Sequence, residues 1–147
     1  MIARILTENI SAVCPIYGVS IGNREDKKTW RIDFKPDATD EQKKQAQIIV
    51  DAFNPFKEEI KKHAIDRVQA FMDAKAHEYG YDHILSASSY VTSTVPKFKA
   101  EGLAFAKWRD DVWLYCYSVL AEWEAGTSLI TTEAELIASL PEFKVEY

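Results

Sequence analysis

The sequence predicts an α+β protein in which a small N-terminal antiparallel β-sheet or hairpin is followed by an α-helical bundle. Before Pro36, apolar residues alternate with polar ones, whereas after it they recur at steps of three and four. Capping pairs and glycines that end helices also lie beyond Pro36. We therefore expect a β unit over residues 1–37 and a helical bundle over residues 38–147, packed together as one compact unit.

Two short segments have the alternation that is typical of a strand with one solvent-exposed face. They cover residues 16–21 and 29–34, and the glycine, asparagine and charged residues between them are typical of a hairpin connection. The residues expected on one face of the second strand are Trp30, Ile32 and Phe34.

A third strand is expected nearer the N-terminus. It would cover residues 2–6, with residues 10–13 as a further candidate segment. Because two strands alone are only marginally stable, we expect the small sheet to lie with its apolar face on a helix or on another subunit.

Capping residues and apolar spacing predict a series of helices after Pro36. Thr39 and Gln42 have the spacing of a capping box, in which each side chain accepts a hydrogen bond from the other residue's backbone N–H. Gly80 and Gly126 stand where a left-handed residue ends a helix. The expected helices cover residues 40–53, 55–79, 82–90 and 99–125, with a last short helix that follows the capping box of Thr132 and Glu135 and ends at Pro141.

The long helix over residues 99–125 has two neighbouring rows of apolar residues, together broader than one packed helix covers. Both rows could be core, buried against the helix after Pro55 and the small sheet. Alternatively, one row contacts another chain, because Trp and Tyr often dominate binding energy. The first row is Phe105, Trp108, Val112, Tyr115 and Val119, and the second is Trp113, Cys116, Leu120 and Trp123.

We predict that one row is core and that the other reaches a partner or a second copy. The residues expected in the core are Phe105, Trp108, Val112 and Tyr115. Trp113 and Trp123 are expected nearer the surface. The candidate partner-binding residues are Trp113, Leu120 and Trp123.

Composition and charge argue against several classes of function. Eighteen basic and 23 acidic residues give a net charge of −5, so the chain repels a phosphate backbone and we expect no nucleic-acid partner. Charges interrupt every apolar run, so we expect no membrane span. The N-terminus is too short and too acidic for a secretory signal, which predicts folding in the cytoplasm. Cys14 and Cys116 are expected to be reduced, packed thiols.

No catalytic or metal-binding arrangement is evident in the sequence. His77 and His83 stand six residues apart and lack the further ligands that zinc requires. Ser86, Ser88 and Ser89 share one expected helix with His83, without the strand-to-helix turn of a nucleophilic serine. We therefore expect no catalytic residue, no metal and no cofactor.

Three segments of the second half of the chain carry a family resemblance. They are YDHILSASSY at residues 81–90, EGLAFAKWR at residues 101–109 and VLAEWEAG at residues 119–126. In these segments the chain resembles small proteins encoded in the tail and tail-fibre region of tailed bacteriophages and prophages. Further similar segments are YGVSIG at residues 17–22, KTWRIDF at 28–34, DATDEQ at 37–42 and TEAELIASLP at 132–141.

The resemblance implies a non-enzymatic tail component or adaptor that binds the tail fibre or baseplate. Its partners would be other tail proteins, with a homo-oligomer as an additional option. It would be found in the host cytoplasm during assembly, and in the virion tail if retained. The alternative in the same setting is a tail-fibre assembly chaperone that is absent from the virion. An enzyme acting on the host envelope is the alternative from another class, and no catalytic residue carries over from the resemblance.

Overall fold

Six α-helices, two short 3-10 helices and two strands make up the protein in a computed structural model that describes all residues from 1 to 147. Helix α1 (Ile2–Ser11) comes first, followed by an antiparallel hairpin of strands β1 (Ile16–Ser20) and β2 (Arg31–Phe34). The predicted α+β class, with an N-terminal hairpin before the main set of helices, is confirmed. The helices after the hairpin are α2 (Asp40–Ala52), α3 (Lys57–Glu78), α4 (Ile84–Ser88), α5 (Pro96–Glu124) and α6 (Glu133–Ser139).

The chain forms two compact units, Met1–Ile60 and Lys61–Tyr147. Each unit has its own hydrophobic core. The first unit extends past the change of period at Pro36 because α2 buries Ala46 and Val50 in the same core as the hairpin. The boundary between the two packed units therefore lies after α2, whereas the hydrophobic period changes before α2 begins.

The N-terminal segment is a helix, so the expected third strand is wrong. Ile2, Leu6 and Ile10 are spaced four residues apart, which places them on one face of α1. Leu6 and Ile10 are fully buried, and Ile2 packs against the same core. The short, mostly apolar run of residues 2–6 does not by itself distinguish a strand from a helix, and the continuation of the four-residue spacing to Ile10 favours a helix.

The hairpin packs on helices, as expected for a sheet of only two strands. Val19 of β1 pairs with Ile32 of β2, and the pairing is irregular between Ile16 and Gly18. Ile16 and Val19 are buried in one core with residues of α1 and α2. The residues predicted to share a face, Trp30, Ile32 and Phe34, all pack against this core.

Side chains cap both ends of α2. The predicted capping box is present: the Thr39 hydroxyl accepts from the Gln42 N–H at 3.2 Å, and Gln42 Oε1 accepts from the Thr39 N–H at 2.9 Å. At the other end, Lys27 Nζ donates to the carbonyl oxygens of Val50 and Asp51 at 2.9 and 2.7 Å. The ammonium thus gives the last carbonyls of the helix a further donor and complements the helix dipole.

The second unit contains most of α3 together with α4, α5 and α6. Gly80 and Gly126 adopt positive φ angles of 87° and 74° just beyond α3 and α5, so both glycines end helices as predicted. The predicted capping box of Thr132 and Glu135 begins α6. The buried residues of this core are Val68, Met72 and Ala76 of α3, Ile84 and Ala87 of α4, and Phe105, Trp108 and Val112 of α5.

Candidate partner-binding surface

Burial changes along the axis of α5, which is 29 residues long. Its N-terminal half, residues 96–112, contains every buried residue of the helix, whereas no side chain of its C-terminal half, residues 113–124, is buried. Tyr115, which we expected in the core, is only half-buried. Whether a residue of α5 is buried therefore depends on its position along the helix, and it does not depend on which of the two apolar rows it belongs to. The buried residues are Glu101, Gly102, Phe105, Trp108 and Val112.

All three candidate partner-binding residues lie in the C-terminal half of α5. Trp113 is half-buried and packs, together with Cys116, against the core of the second unit. Leu120 and Trp123 are also half-buried. Intervals of seven and three residues place the three side chains along one side of the helix.

Aromatic side chains cover the N-terminal half of α5. Phe143 stacks on Phe105 with 4.2 Å between ring centroids, and Tyr79 meets Phe105 edge-on at 5.4 Å. The indole N–H of Trp108 donates to the carbonyl oxygen of Pro141 at 2.7 Å. The segment after α6 has no regular secondary structure, yet it completes this core.

Gly102 allows α5 to approach the short 3-10 helix Ser89–Thr92 closely. A Cβ atom at Gly102 would lie 2.5 Å from the carbonyl carbon of Tyr90 and 2.6 Å from the amide nitrogen of Val91. Both atoms belong to the backbone, so neither can move aside by changing a rotamer. A side chain at this position would push the two elements apart.

Glu101 is the only charged residue that is buried in the protein. Tyr81 Oη donates to Glu101 Oε2 at 3.3 Å, and Lys97 Nζ lies 4.0 Å from Oε1. Burial, followed by the negative charge of Glu101, raises the pKa of Tyr81 to about 12. Tyr81 therefore keeps its proton near neutral pH and continues to donate to the buried carboxylate.

The serines and the histidine around α4 bind backbone groups. His83 caps the helix, because its Nδ1 accepts from the Ser86 N–H at 3.1 Å. The hydroxyls of Ser86, Ser88 and Ser89 donate to backbone carbonyl oxygens at 2.6–2.8 Å. Elsewhere too, no group of three or more His, Cys, Asp and Glu side chains is arranged to hold a metal ion. These side chains act as helix caps and turn stabilisers.

Polar contacts connect α3, α5 and α6 at the C-terminal end of α5. Lys61 Nζ lies 3.4 Å from Glu124 Oε1. Glu133, the first residue of α6, contacts His63 and forms an ion pair of 3.3 Å with Arg67. These contacts are partly exposed, so each contributes less stability than it would in a buried site.

One face of α5 carries three exposed apolar residues that were not among the predicted candidates. Leu103, Leu114 and Tyr117 are 52%, 68% and 68% exposed. Intervals of eleven and three residues put them on one face, opposite the buried residues. The eleven-residue interval is visible in the sequence. The prediction was based on the two apolar rows, which lie on other faces of the helix.

No protein-family model, curated protein or solved structure matches the chain. None of the helices combines the length and the apolar content that a bilayer span requires. The local geometry alone therefore describes the site, which is a convex helix end with half-exposed tryptophan and leucine side chains.

Proposed function

We propose that the protein is a non-enzymatic component or adaptor of a bacteriophage tail that binds the tail fibre or baseplate. The observation that carries the binding role is the C-terminal half of α5, where apolar side chains remain half-exposed. The phage setting depends on the sequence resemblance of residues 81–90, 101–109 and 119–126 to tail-region proteins.

The shape and chemistry of this surface favour a macromolecular partner. Small-molecule sites are concave and enclose most of their ligand, whereas the side of a helix is convex. Trp113, Leu120 and Trp123 present large apolar groups on such a side. Tryptophan is enriched among the residues that dominate protein–protein binding energy. A protein surface with an apolar pocket or groove is the occupant that fits best.

The polar groups of the second unit support a non-enzymatic role. The Glu101 carboxylate is held by Tyr81, and the His83 imidazole accepts from a backbone N–H. The nearby serine hydroxyls donate to carbonyl oxygens. Each of these groups is thus engaged in a bond that stabilises the fold.

Co-purification with tail-fibre and baseplate proteins of the same phage or prophage tests the proposal. We expect the double variant Leu120→Ser, Trp123→Ser to bind at least about thirtyfold more weakly, which corresponds to about 2 kcal/mol. Its melting temperature should change little, because neither side chain is fully buried. Leu85→Ser is the matched control, since Leu85 is an exposed leucine on α4. Unchanged binding by the double variant would contradict the assigned surface.

Mass spectrometry of purified virions separates the two roles within the phage setting. A tail component is present in stoichiometric amounts in the finished particle. An assembly chaperone binds the fibre protein in infected cells but is absent from the particle. Absence of the protein from both the particle and all fibre or baseplate complexes would refute the phage setting.

A further inference from the structure

A second surface of α5 is formed by eight residues on its solvent side, which we call the outer stripe. Their positions follow one another at alternating steps of four and three, the spacing of a coiled-coil heptad. Seven of them are exposed, and Ala100 is half-buried. The outer stripe consists of Pro96, Ala100, Leu103, Lys107, Asp110, Leu114, Tyr117 and Ala121.

We propose that the outer stripe binds the outer stripe of a second copy of this chain as an antiparallel helix pair. A two-fold axis that crosses α5 between residues 108 and 109 places Leu103 opposite the partner's Leu114, because both are equally far from the axis. Lys107 and Asp110 are also equally far from it. Each lysine therefore faces the partner's Asp110, and symmetry repeats both contacts.

The charges select the antiparallel orientation. In a parallel pair, Lys107 would face the partner's Lys107 and Asp110 would face the partner's Asp110, so both charged layers would be repulsive. In the antiparallel pair both layers are attractive. Size is complementary as well, since Tyr117 faces the partner's Ala100.

The existing contacts of these charges do not prevent the pairing. Lys107 lies 2.5 Å from Asp111 and Asp110 lies 3.0 Å from Arg109, both within α5. Lys107 and Asp110 themselves are 77% and 64% exposed, so rearranging these pairs costs little. The outer stripe is also a different face from that of Leu120 and Trp123, so the dimer is independent of the proposed fibre or baseplate contact.

A charge exchange tests the dimer by sedimentation velocity of the full chain over a range of concentrations. We expect Lys107→Glu and Asp110→Lys each to weaken self-association by about tenfold or more, because symmetry places two like-charge contacts in every dimer. A mixture of the two variants should associate again, since each repulsive pair becomes attractive. The double variant should self-associate like the unaltered chain. A monomeric unaltered chain, or a mixture that stays monomeric, overturns the proposal.

Two exposed leucines provide a control for changes in fold. Leu114 and Leu85 are both 68% exposed, but only Leu114 belongs to the outer stripe. Leu114→Lys should abolish dimerisation, whereas Leu85→Lys should leave it intact, with equal circular-dichroism melting curves. Equal loss of dimer in both variants contradicts a contact through the outer stripe.

Cysteine cross-linking tests the orientation and register in a Cys116→Ser background. A mixture of L103C and L114C chains should form a disulfide between copies, because the two positions face each other. L103C alone should not, since the two copies of that position lie about 16 Å apart along the helices at 1.5 Å per residue. Efficient cross-linking of L103C alone would indicate a parallel pair and overturn the assigned geometry.

Discussion

The two halves of α5 are both rich in large apolar residues, yet only the N-terminal half is buried. Phe105, Trp108 and Val112 are in the core of the second unit. Trp113 directly follows Val112 and Trp123 lies about three turns further along, yet both remain half-exposed. Apolar content alone therefore does not decide burial along a helix.

The difference lies in which elements the chain supplies to cover each half. The N-terminal half receives Phe143 and the carbonyl oxygen of Pro141 from the segment after α6, and Gly102 lets the 3-10 helix approach closely. The C-terminal half has an ion pair from Lys61 at its end. A helix longer than its covering elements leaves an apolar surface free for another molecule.

The largest expected effect comes from replacing one tryptophan in each half of α5 with alanine. Trp108→Ala should lower the free energy of unfolding by about 3–5 kcal/mol, through lost burial and a cavity. Trp123→Ala should cost about 1 kcal/mol or less, because the residue is half-exposed. Urea denaturation followed by circular dichroism measures both. Equal losses would show that the two halves are equally part of the core.

Gly102→Ala should destabilise the protein by about 1–3 kcal/mol, because its Cβ atom would overlap the backbone of the 3-10 helix. Gly18→Ala is the control, since a Cβ atom there meets no atom within 4 Å. Thermal melting of the two variants measures the difference. If Gly102→Ala has the same melting temperature as Gly18→Ala, the close approach of the 3-10 helix to Gly102 does not explain how the N-terminal half is covered.

Tyr81→Phe should cost about 1–2 kcal/mol, because it leaves the buried Glu101 carboxylate with one fewer donor. The raised pKa of Tyr81, to about 12, also predicts a pH dependence. Its ordinary pKa is about 10, so the phenol contributes stability fully below pH 10 and loses it as the pH rises towards 12. The free energy of unfolding should therefore fall less steeply between pH 9 and pH 12 in Tyr81→Phe than in the unaltered protein. The same pH dependence in both proteins would contradict the assigned hydrogen bond between Tyr81 and Glu101.

The smallest effect is expected beyond the C-terminal half, at the start of α6. Thr132→Ala should cost roughly 0.5–1 kcal/mol by removing an N-cap.

Hydrogen bonds from the backbone of Thr131 and Thr132 lower the pKa of Glu135. The Glu135 carboxylate therefore stabilises α6 above its ordinary pKa of about 4, and this contribution is lost as the pH falls below that value. Amide exchange of α6 at pH 3 and pH 6 measures the loss, and identical protection would contradict it.

Most of the helical part of the fold could be predicted because its end markers are local. The capping box of Thr39 and Gln42 and the glycine at position 80 each act through atoms within a few residues. The N-terminal helix could not be predicted in this way, because an apolar run as short as residues 2–6 occurs in strands and in helices. Its helical state depends on packing of Leu6 and Ile10 with residues of α2 much later in the chain.

The candidate surface was predictable in part. The sequence indicated that α5 has more apolar surface than one neighbour covers, and it indicated Phe105 and Trp108 as core. It could not show which part of the helix stays uncovered, because the covering residue Phe143 is nearly forty residues further along the chain. The roles of Trp113, Leu120 and Trp123 in binding remain predictions.

The stacking of Phe143 on Phe105 also has a consequence for the order in which the chain folds during its synthesis. The core of the first unit contains no residue beyond Phe53, so this unit can close before translation of the second unit is complete. Phe105 has to wait until α6 and the following segment have been translated. In that interval its aromatic neighbours are open to a molecular chaperone, so ribosome pausing over residues 125–140 should prolong chaperone association with the nascent chain.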